Sequence, residues 1–455
     1  MGIDLKGRNV LVLGLGESGF GVAQFLREER ANVMVNDIKN EEAFKDLIPK
    51  LKELNISYLF GEHPVELLNN IDLLVISPGI SKDNPIYKEA SKRGVKVIGE
   101  IELAYLYSKV PIIAVTGTKG KSTTSTLIGE ILNAAQIKNI VAGNIGVPFV
   151  NVVKTLNEGF FILEVSSFQL EDIETFCPYI SLFINIYPDH LDRYKGMEEY
   201  AKAKAKIFMN QKENDFAILN YDQKEIRKLA SICRAQKLFF SLLNLKGDGI
   251  FLDGSFLNFK INGKEGKIKV PLKCLKNQAF LNDFMAASLV ALILGINPET
   301  IEEVGENFKG ISFTLEKVGE VKGRIFINDS KATNPISTIY AVRSISSPIW
   351  LILGGRNKNF DFEELFKNIK ISSVRGVILI GETKEIMREL AQKYDILYFE
   401  EDALEEAVLK AFKLSVPGDI ILLSPGCASF DMFENYKERG KSFNRIVESI
   451  KDEKI

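Results

Sequence analysis

The stretch Ile112-Ile113-Ala114-Val115-Thr116-Gly117-Thr118-Lys119-Gly120-Lys121-Ser122-Thr123-Thr124 decides how this chain is read. An apolar, strand-like run enters a polar turn interrupted by glycines, and a helix-like run from Ser125 to Ala135 follows. Glycines let successive backbone N–H groups converge on phosphate oxygens, and a helix N-terminus adds its dipole. Lys121 is long enough to reach terminal phosphates, and the Ser122 hydroxyl can ligate Mg²⁺. The spacing is tighter than the common G-x-x-x-x-G-K-[ST] pattern: Val115 stands where its first glycine belongs, and the first glycine here is Gly117. A purely structural strand-to-helix turn shares this outline, but the lysine–serine pair at the helix start points to a nucleoside triphosphate. The candidate cradle is Gly117, Thr118, Lys119, Gly120, Lys121, Ser122 and Thr123.

Composition narrows the class. With 455 residues the chain exceeds one ordinary core, so several domains are expected. A formal net charge of −2, without a basic stripe interleaved with aromatics, argues against a nucleic-acid partner. The longest apolar stretch, Ala286 to Ile296, is too short to span a bilayer. No leader-like segment opens the chain, and its four cysteines form no C-x-x-C pair, so a cytoplasmic protein with reduced thiols is expected. Only two histidines exist, His63 and His190, which excludes a multi-histidine metal site.

Outward from the loop, apolar runs alternate with helical patterns. Candidate strands Asn9–Leu13, Asn32–Asn36, Leu73–Ser77 and Val95–Ile98 are separated by candidate helices Ser18–Glu29, Glu41–Leu54 and Pro85–Arg93. That is a βαβ progression, which builds a parallel sheet. A second series starts at Ile112, includes Phe160–Val165 and Ile180–Asn185, and ends near the helical run Asp283–Gly295. Residues 237–271 read as short strands with a hairpin signal at Asn262-Gly263. A third series has strands Ile349–Leu353, Val377–Ile380, Ile396–Phe399 and Ile420–Leu423. The expectation is three α/β domains, 1–105, 106–309 and 310–455.

Further motifs cluster at strand ends. Gly14-Leu15-Gly16-Glu17-Ser18-Gly19 follows the first strand and opens a helix, and Asp37 closes the next strand where a ribose-binding acid would sit. A nicotinamide dehydrogenase would begin the same way, yet that reading leaves the Lys121 loop unexplained. Ser77-Pro78-Gly79-Ile80 could offer N–H groups to the same crevice. Glu164 ends an apolar strand beside the phosphate loop and is placed to hold Mg²⁺; His190, after Ile180–Asn185, is a second candidate. Lys202, Lys204 and Lys206 lie in a helical pattern from Glu198 to Met209; Lys202 and Lys206 read as solvated, and the pattern alone does not promote Lys204. In the third series, the loops Asn328 to Asn334, Gly354 to Lys358 and Ser424 to Phe430 suggest one rim suited to a small anion.

Together these residues resemble the ATP-dependent Mur ligases of peptidoglycan synthesis, and within them the D-glutamate-adding branch. The likeness runs along essentially the whole chain, through Ser77 to Ile80, Thr116 to Thr124, Gly143-Asn144-Ile145-Gly146, Leu163 to Leu170, Asp189 to Tyr194, Asn328 to Asn334, and Ser424 to Gly440 with Phe430-Asp431 and Asn435-Tyr436. It implies an N-terminal Rossmann-like domain that binds a UDP-sugar, a central P-loop ATPase-like domain, and a C-terminal Rossmann-like domain that binds the amino acid. It implies ATP-dependent amide formation between UDP-N-acetylmuramoyl-L-alanine and D-glutamate through an acyl phosphate, by a monomer. Lys121, Glu164, His190 and Lys204 would be catalytic, with Ser122, Glu164, His190 and a CO₂-derived carbamate on Lys204 around Mg²⁺. Asp329 and Lys331 would join the ATP contacts. Glu17, Ser18, Asp37, Ser77, Gly79 and Asn144 would hold the UDP substrate, and Thr333, Lys358, Ser429, Phe430 and Tyr436 the D-glutamate. Two departures stand out. Ala279-Phe280 replaces a usual His-Asn, with Asp283 where another Asn is common, and Phe313-Thr314 replaces a usual His-Arg. An arginine lost from a phosphate removes a contact that threonine cannot supply. A catalytically weak homologue that binds UDP-sugar peptides is therefore the alternative.

Overall fold

A computed structural model describes residues 3–144, 146–190, 193–357 and 360–452. Ile145, Leu191, Asp192 and Lys358 lie outside the described residues. The chain forms two compact units, Met1–Phe308 and Lys309–Ile455.

The first unit holds two sheets. The first sheet comprises β1 Asn9–Leu13, β2 Asn32–Asp37, β3 Ser57–Phe60, β4 Leu73–Ile76 and β5 Lys96–Gly99, all parallel in the order β3-β2-β1-β4-β5. Alternation along β1 explains its two covered faces. Val10 and Val12 pack with Val22, Phe25 and Leu26 of the helix Glu17–Glu28, whereas Leu11 and Leu13 pack with Ile86 and Ala90 of the helix Pro85–Arg93. The second sheet comprises β6 Ile112–Thr116, β7 Asn139–Gly143, β8 Phe160–Glu164, β9 Ile180–Phe183, β10 Phe216–Asn220, β11 Gln236–Ser241, β12 Gly249–Asp253, β13 Phe256–Ile261 and β14 Lys264–Lys269. Its order is β14-β13-β12-β11-β10-β9-β6-β8-β7, parallel throughout except that β13 runs antiparallel to both of its neighbours, β12 and β14. Asn262 and Gly263, both at positive φ, join β13 to β14 as the sequence signal implies. β6 lies between β8 and β9, so its carboxyl end faces a crevice where the chain order switches sides. One apolar cluster runs continuously from Leu5 through Val10 and Ile112 to Phe208, which fuses the two sheets into one unit.

The second unit carries β15 Glu316–Val321, β16 Arg324–Asn328, β17 Ile349–Gly354, β18 Val374–Ile380, β19 Tyr398–Glu400 and β20 Ile420–Leu423, ordered β15-β16-β20-β17-β18-β19. Only the β15–β16 pair is antiparallel. Two apolar clusters cover its faces, one around Leu351, Leu353, Leu365 and Phe366, the other around Trp350, Ile352, Phe443 and Val447.

The structure corrects the sequence reading in places. The single helix expected over Glu41–Leu54 is a 3₁₀ turn, Glu41–Phe44, capped by Asn40, followed by the separate helix Ile48–Glu53. Pro49 lacks the N–H a continuous helix needs and instead occupies the first turn of the second piece. β3 was not expected, because Ser57–Phe60 shows no clean alternation and is only half buried. The helical pattern over Glu198–Met209 is the helix Met197–Ala205 followed by a 3₁₀ turn, Lys206–Phe208. Lys206 is consequently not solvated: its Nζ donates to the Glu171 carbonyl at 2.6 Å.

Candidate active site

The phosphate loop leaves the carboxyl end of β6 and enters the helix Lys121–Ala134. Gly120 sits at φ 79°, and a Cβ there would collide with the Asp283 carboxylate, so glycine is required on both counts. The N–H groups of Thr118 and Lys119 converge on one acceptor, Asn185 Oδ1, at 3.0 and 2.9 Å. Asn185 Nδ2 donates back to the Lys119 carbonyl at 2.8 Å. The loop's inward N–H groups are therefore held ready by a neutral side chain just past β9. The sequence presents Asn185 only as the end of an apolar strand; its usable signal is that of a polar residue at the carboxyl edge of the strand next to β6.

Two amines converge on a single carbonyl. Lys121 Nζ donates to the Gly117 oxygen at 3.0 Å and Lys204 Nζ to the same oxygen at 2.8 Å. Burial lowers the Lys121 pKa, opposed by the carboxylates of Glu164 and Asp189. Lys204 is 2% exposed and lies 4.7 Å from the Tyr200 ring centroid. Burial first, and the Lys121 charge second, drive its pKa well below the ordinary lysine value. The helix that sequence pattern alone could not interpret thus delivers a buried amine to the phosphate loop. Lys202 points outward and pairs with Glu198.

Across from the amines stands Glu164, the last residue of β8. Ser122 Oγ donates to one carboxylate oxygen at 2.6 Å and Asn144 Nδ2 to the other at 2.6 Å. Asn144, expected among the UDP-substrate residues, is thus placed on Glu164. His190 packs on Phe168 with ring centroids 4.7 Å apart and keeps Nε2 3.6 Å from Asp189. Among the described residues no group of three or more His, Cys, Asp and Glu side chains converges to hold a metal. The oxygen donors brought together, the Ser122 hydroxyl and the Glu164 carboxylate, fit Mg²⁺ that draws its remaining ligands from phosphates and water.

At the first sheet, Asp37 accepts the Leu15 N–H at 2.8 Å and the Lys39 N–H at 3.0 Å. Ser77 Oγ donates to the Gly14 carbonyl at 2.8 Å. Exposed Glu17 and half-buried Ser18 open the helix Glu17–Glu28, and Gly79 lies in the turn after β4 with open space where a Cβ would be. These residues gather around one βα turn.

In the second unit the three polar loops follow β16, β17 and β20, which are adjacent and parallel. They are stitched together: Gly426 N–H donates to Ala332 O at 2.9 Å, Gly354 N–H to Pro425 O at 2.9 Å, and Arg356 N–H to Ala428 O at 2.9 Å. Asp329 accepts Ser424 Oγ at 2.7 Å and the Leu315 N–H at 3.2 Å, and burial pushes its carboxyl up to about 6. Lys331 and Thr333 lie on the same loop as Asp329. Ser429 is buried, Phe430 is 53% exposed, and the Tyr436 carbonyl accepts Ser330 Oγ at 2.8 Å. Sequence reasoning missed Arg439. Fully buried, it donates to Ser330 O at 2.9 Å and Cys427 O at 3.1 Å, clamping two of the loops, and burial lowers its pKa to about 10. Nothing in Tyr436-Lys437-Glu438-Arg439-Gly440-Lys441, which reads as a solvated helix face, foretells this.

The departures also find local jobs. Phe280 stacks on Phe308 at 5.5 Å, and the Phe313 ring lies where a Gly440 Cβ would be. Asp283 accepts Thr124 Oγ1 at 3.2 Å, and burial raises its pKa well above the ordinary aspartate value.

A P-loop-bearing parallel sheet, fused to a nucleotide-type sheet and followed by a third α/β unit, defines a class of ATP-using α/β enzymes. The chain belongs to the Mur ligase family: the Mur ligase MurD-like N-terminal domain matches residues 8–99, the Mur ligase middle domain 115–290, and the Mur ligase glutamate ligase domain 315–427. A protein from Caldanaerobacter subterraneus subsp. tengcongensis named UDP-N-acetylmuramoylalanine--D-glutamate ligase is 42% identical over 455 residues, covering 99% of this chain and 100% of the relative. A protein of the same name from Clostridioides difficile is 40% identical over 454 residues, covering 99% and 100%. Among solved structures, UDP-N-acetylmuramate-alanine ligase MurC from Thermotoga maritima shares the fold with a TM-score of 0.51 at 18% identity, covering 97% of this chain and 99% of that one.

Proposed function

We propose that this chain is the ATP-dependent ligase that joins D-glutamate to UDP-N-acetylmuramoyl-L-alanine in peptidoglycan precursor synthesis, working as a cytoplasmic monomer. The observation that carries the reading is the pair of amines, half-buried Lys121 and buried Lys204, on the Gly117 carbonyl opposite the Ser122–Glu164 hydrogen bond. Phosphoryl transfer needs positioning and charge neutralisation more than covalent help from protein. The alanyl carboxylate attacks the γ-phosphorus of ATP, an acyl phosphate forms, and ADP leaves. The amine of D-glutamate then attacks the acyl carbon, loses a proton, and phosphate departs as the amide forms.

In this reading the N–H groups of Thr118 and Lys119 exchange Asn185 for phosphate oxygens, and Lys121 swings from the Gly117 carbonyl to the transferring phosphoryl group. Ser122 and Glu164, with His190, would hold Mg²⁺, which would neutralise phosphate charge when bound. Lys204, whose pKa burial and the Lys121 charge hold well below the ordinary lysine value, is a nucleophile for CO₂ in its neutral form: its nitrogen bonds the CO₂ carbon and releases a proton, leaving an anionic carbamate where an ammonium would repel a metal. Thr333, Lys358, Ser429, Phe430 and Tyr436 hold D-glutamate, while Glu17, Ser18, Asp37, Ser77 and Gly79 hold the uridine sugar.

The test is ADP release resolved by substrate. It should require both UDP-N-acetylmuramoyl-L-alanine and D-glutamate; turnover with L-alanine or diaminopimelate in place of D-glutamate overturns the reading. The changes at Ala279-Phe280 and Phe313-Thr314 favour a second reading, a weak homologue that binds UDP-sugar peptides. Tight substrate binding without ADP formation at saturating ATP would select it.

A further inference from the structure

Arg193 joins three strand-end segments of the first unit. Its Nε donates to Glu171 Oε1 at 3.1 Å and its Nη2 to Glu171 Oε2 at 2.8 Å, a bidentate pair with side chains 20% and 8% exposed. Nη2 also donates to the Ile80 carbonyl at 3.1 Å. The guanidinium lies 4.4 Å from the Phe168 ring centroid, and Phe168 in turn supports His190. Tyr194 OH completes the cluster on Glu171 Oε1 at 2.6 Å.

Each contact leads to a candidate binding element. Ile80 N–H closes a turn on the Ser77 carbonyl at 3.0 Å, and Ser77 Oγ holds the glycine-rich turn at Gly14. Glu171 ends the helix Ser167–Glu171, which a Ser166–Gln169 capping box starts just beyond Glu164. Arg193 itself lies shortly after His190. A guanidinium fork can serve a carboxylate, a carbonyl and an aromatic face together, which an ammonium cannot.

We infer that Arg193 is a positioning residue that fixes the turn carrying Ser77 and Gly79 to the loop carrying His190, keeping acceptor and phosphoryl donor in register. The inference rests on the proposed ligase reading, because that reading places the acceptor on the first sheet and ATP on the second. A residue with this role makes the two ligands strengthen each other's binding. One that only supports the fold weakens both alike.

The experiment is calorimetric titration of a non-hydrolysable ATP analogue with Mg²⁺, with and without saturating UDP-N-acetylmuramoyl-L-alanine. In the wild type the acceptor should tighten analogue binding by about fivefold or more. In Arg193→Ala that factor should fall to about one, while analogue affinity without acceptor stays within about twofold. Arg193→Lys and Glu171→Gln, milder changes, should lose most of the coupling with unchanged melting temperature, and they decide the matter if Arg193→Ala does not fold. Coupling retained in the folded variants, or absent from the wild type, overturns the inference and leaves the ligase reading standing. Failure of the wild type to bind the acceptor at all overturns the ligase reading itself.

Discussion

Two glycine-rich turns in the first unit share one backbone device and differ in what surrounds it. Both follow a parallel strand and open a helix, the first after β1 and the second after β6. Around the first, neutral and acidic groups satisfy the backbone: Asp37 takes the Leu15 N–H and Ser77 the Gly14 carbonyl. Around the second, two amines, half-buried Lys121 and buried Lys204, meet on the Gly117 carbonyl and a carboxylate faces them through Ser122. The turn itself provides only oriented N–H groups. In the proposed reading, the charged groups beside it separate a grip on a sugar nucleotide from a site where phosphoryl charge moves.

The contrast breaks if the turns respond alike to substitution. Lys121→Ala should cut turnover by about 10³-fold, because in the proposed reading it removes the cation that stabilises the transferring group; steady-state ADP release measures it. Lys204→Ala should lower turnover by about 10²-fold or more, with partial rescue by added short-chain carboxylates that restore an anion. Near-normal turnover in the unsupplemented variant would refute the carbamate role.

The junction between the two sheets offers a pH test. Glu100 is buried at the start of the helix Glu100–Tyr105, accepts the Val150 N–H at 2.7 Å and leaves Oε2 without a hydrogen-bond partner. Burial pushes its carboxyl from 4.5 up to about 7, only partly offset by the backbone N–H groups of Val150 and Phe149. The folded pKa exceeds the unfolded one, so this group's contribution is fully present below the unfolded value and is lost as pH rises through that window. Glu100→Gln should recover up to about 3 kcal/mol of the stability lost between about pH 4.5 and pH 7, read from denaturant unfolding.

Smaller effects sharpen the first turn. A Cβ on Gly19 would strike the Gly14 carbonyl, so Gly19→Ala should cost about 2 kcal/mol, visible in the same unfolding measurement. Asp37→Ala should raise KM for the UDP substrate about tenfold and leave kcat within about twofold. A kcat loss comparable with that of Lys121→Ala would show that both turns serve the chemistry.

Legibility in the sequence followed the range of the interactions. Asn9–Leu13, Pro85–Arg93 and Ile420–Leu423 were read to the residue, because their apolar runs and flanking signals are local. Glu41–Leu54 failed where a proline restarted the helix, and β3 failed because a half-buried strand leaves no clean period. Glu164 and His190 could be suspected from their places at strand ends. Asn185 could have been, for the same reason. Lys204 and Arg193 gained meaning only from family resemblance or from contacts distant in sequence. The D-glutamate contacts proposed in the second unit rest partly on a loop whose Lys358 lies outside the described residues.

By itself the sequence determined three α/β sheets, a phosphate loop and the order of the loops that carry polar groups, because strand periodicity, glycine spacing and strand-end position act over a few residues. The tertiary structure decided which charges are buried. Lys204 and Lys202 are neighbours on one helix, yet one packs against the Gly117 carbonyl and the other pairs with Glu198 in solvent. Arg439, within a run of charged residues, closes on carbonyls of two loops more than ten residues away. Burial depends on what the rest of the chain packs against a side chain, and burial is what turns an ordinary lysine or arginine into a poised one.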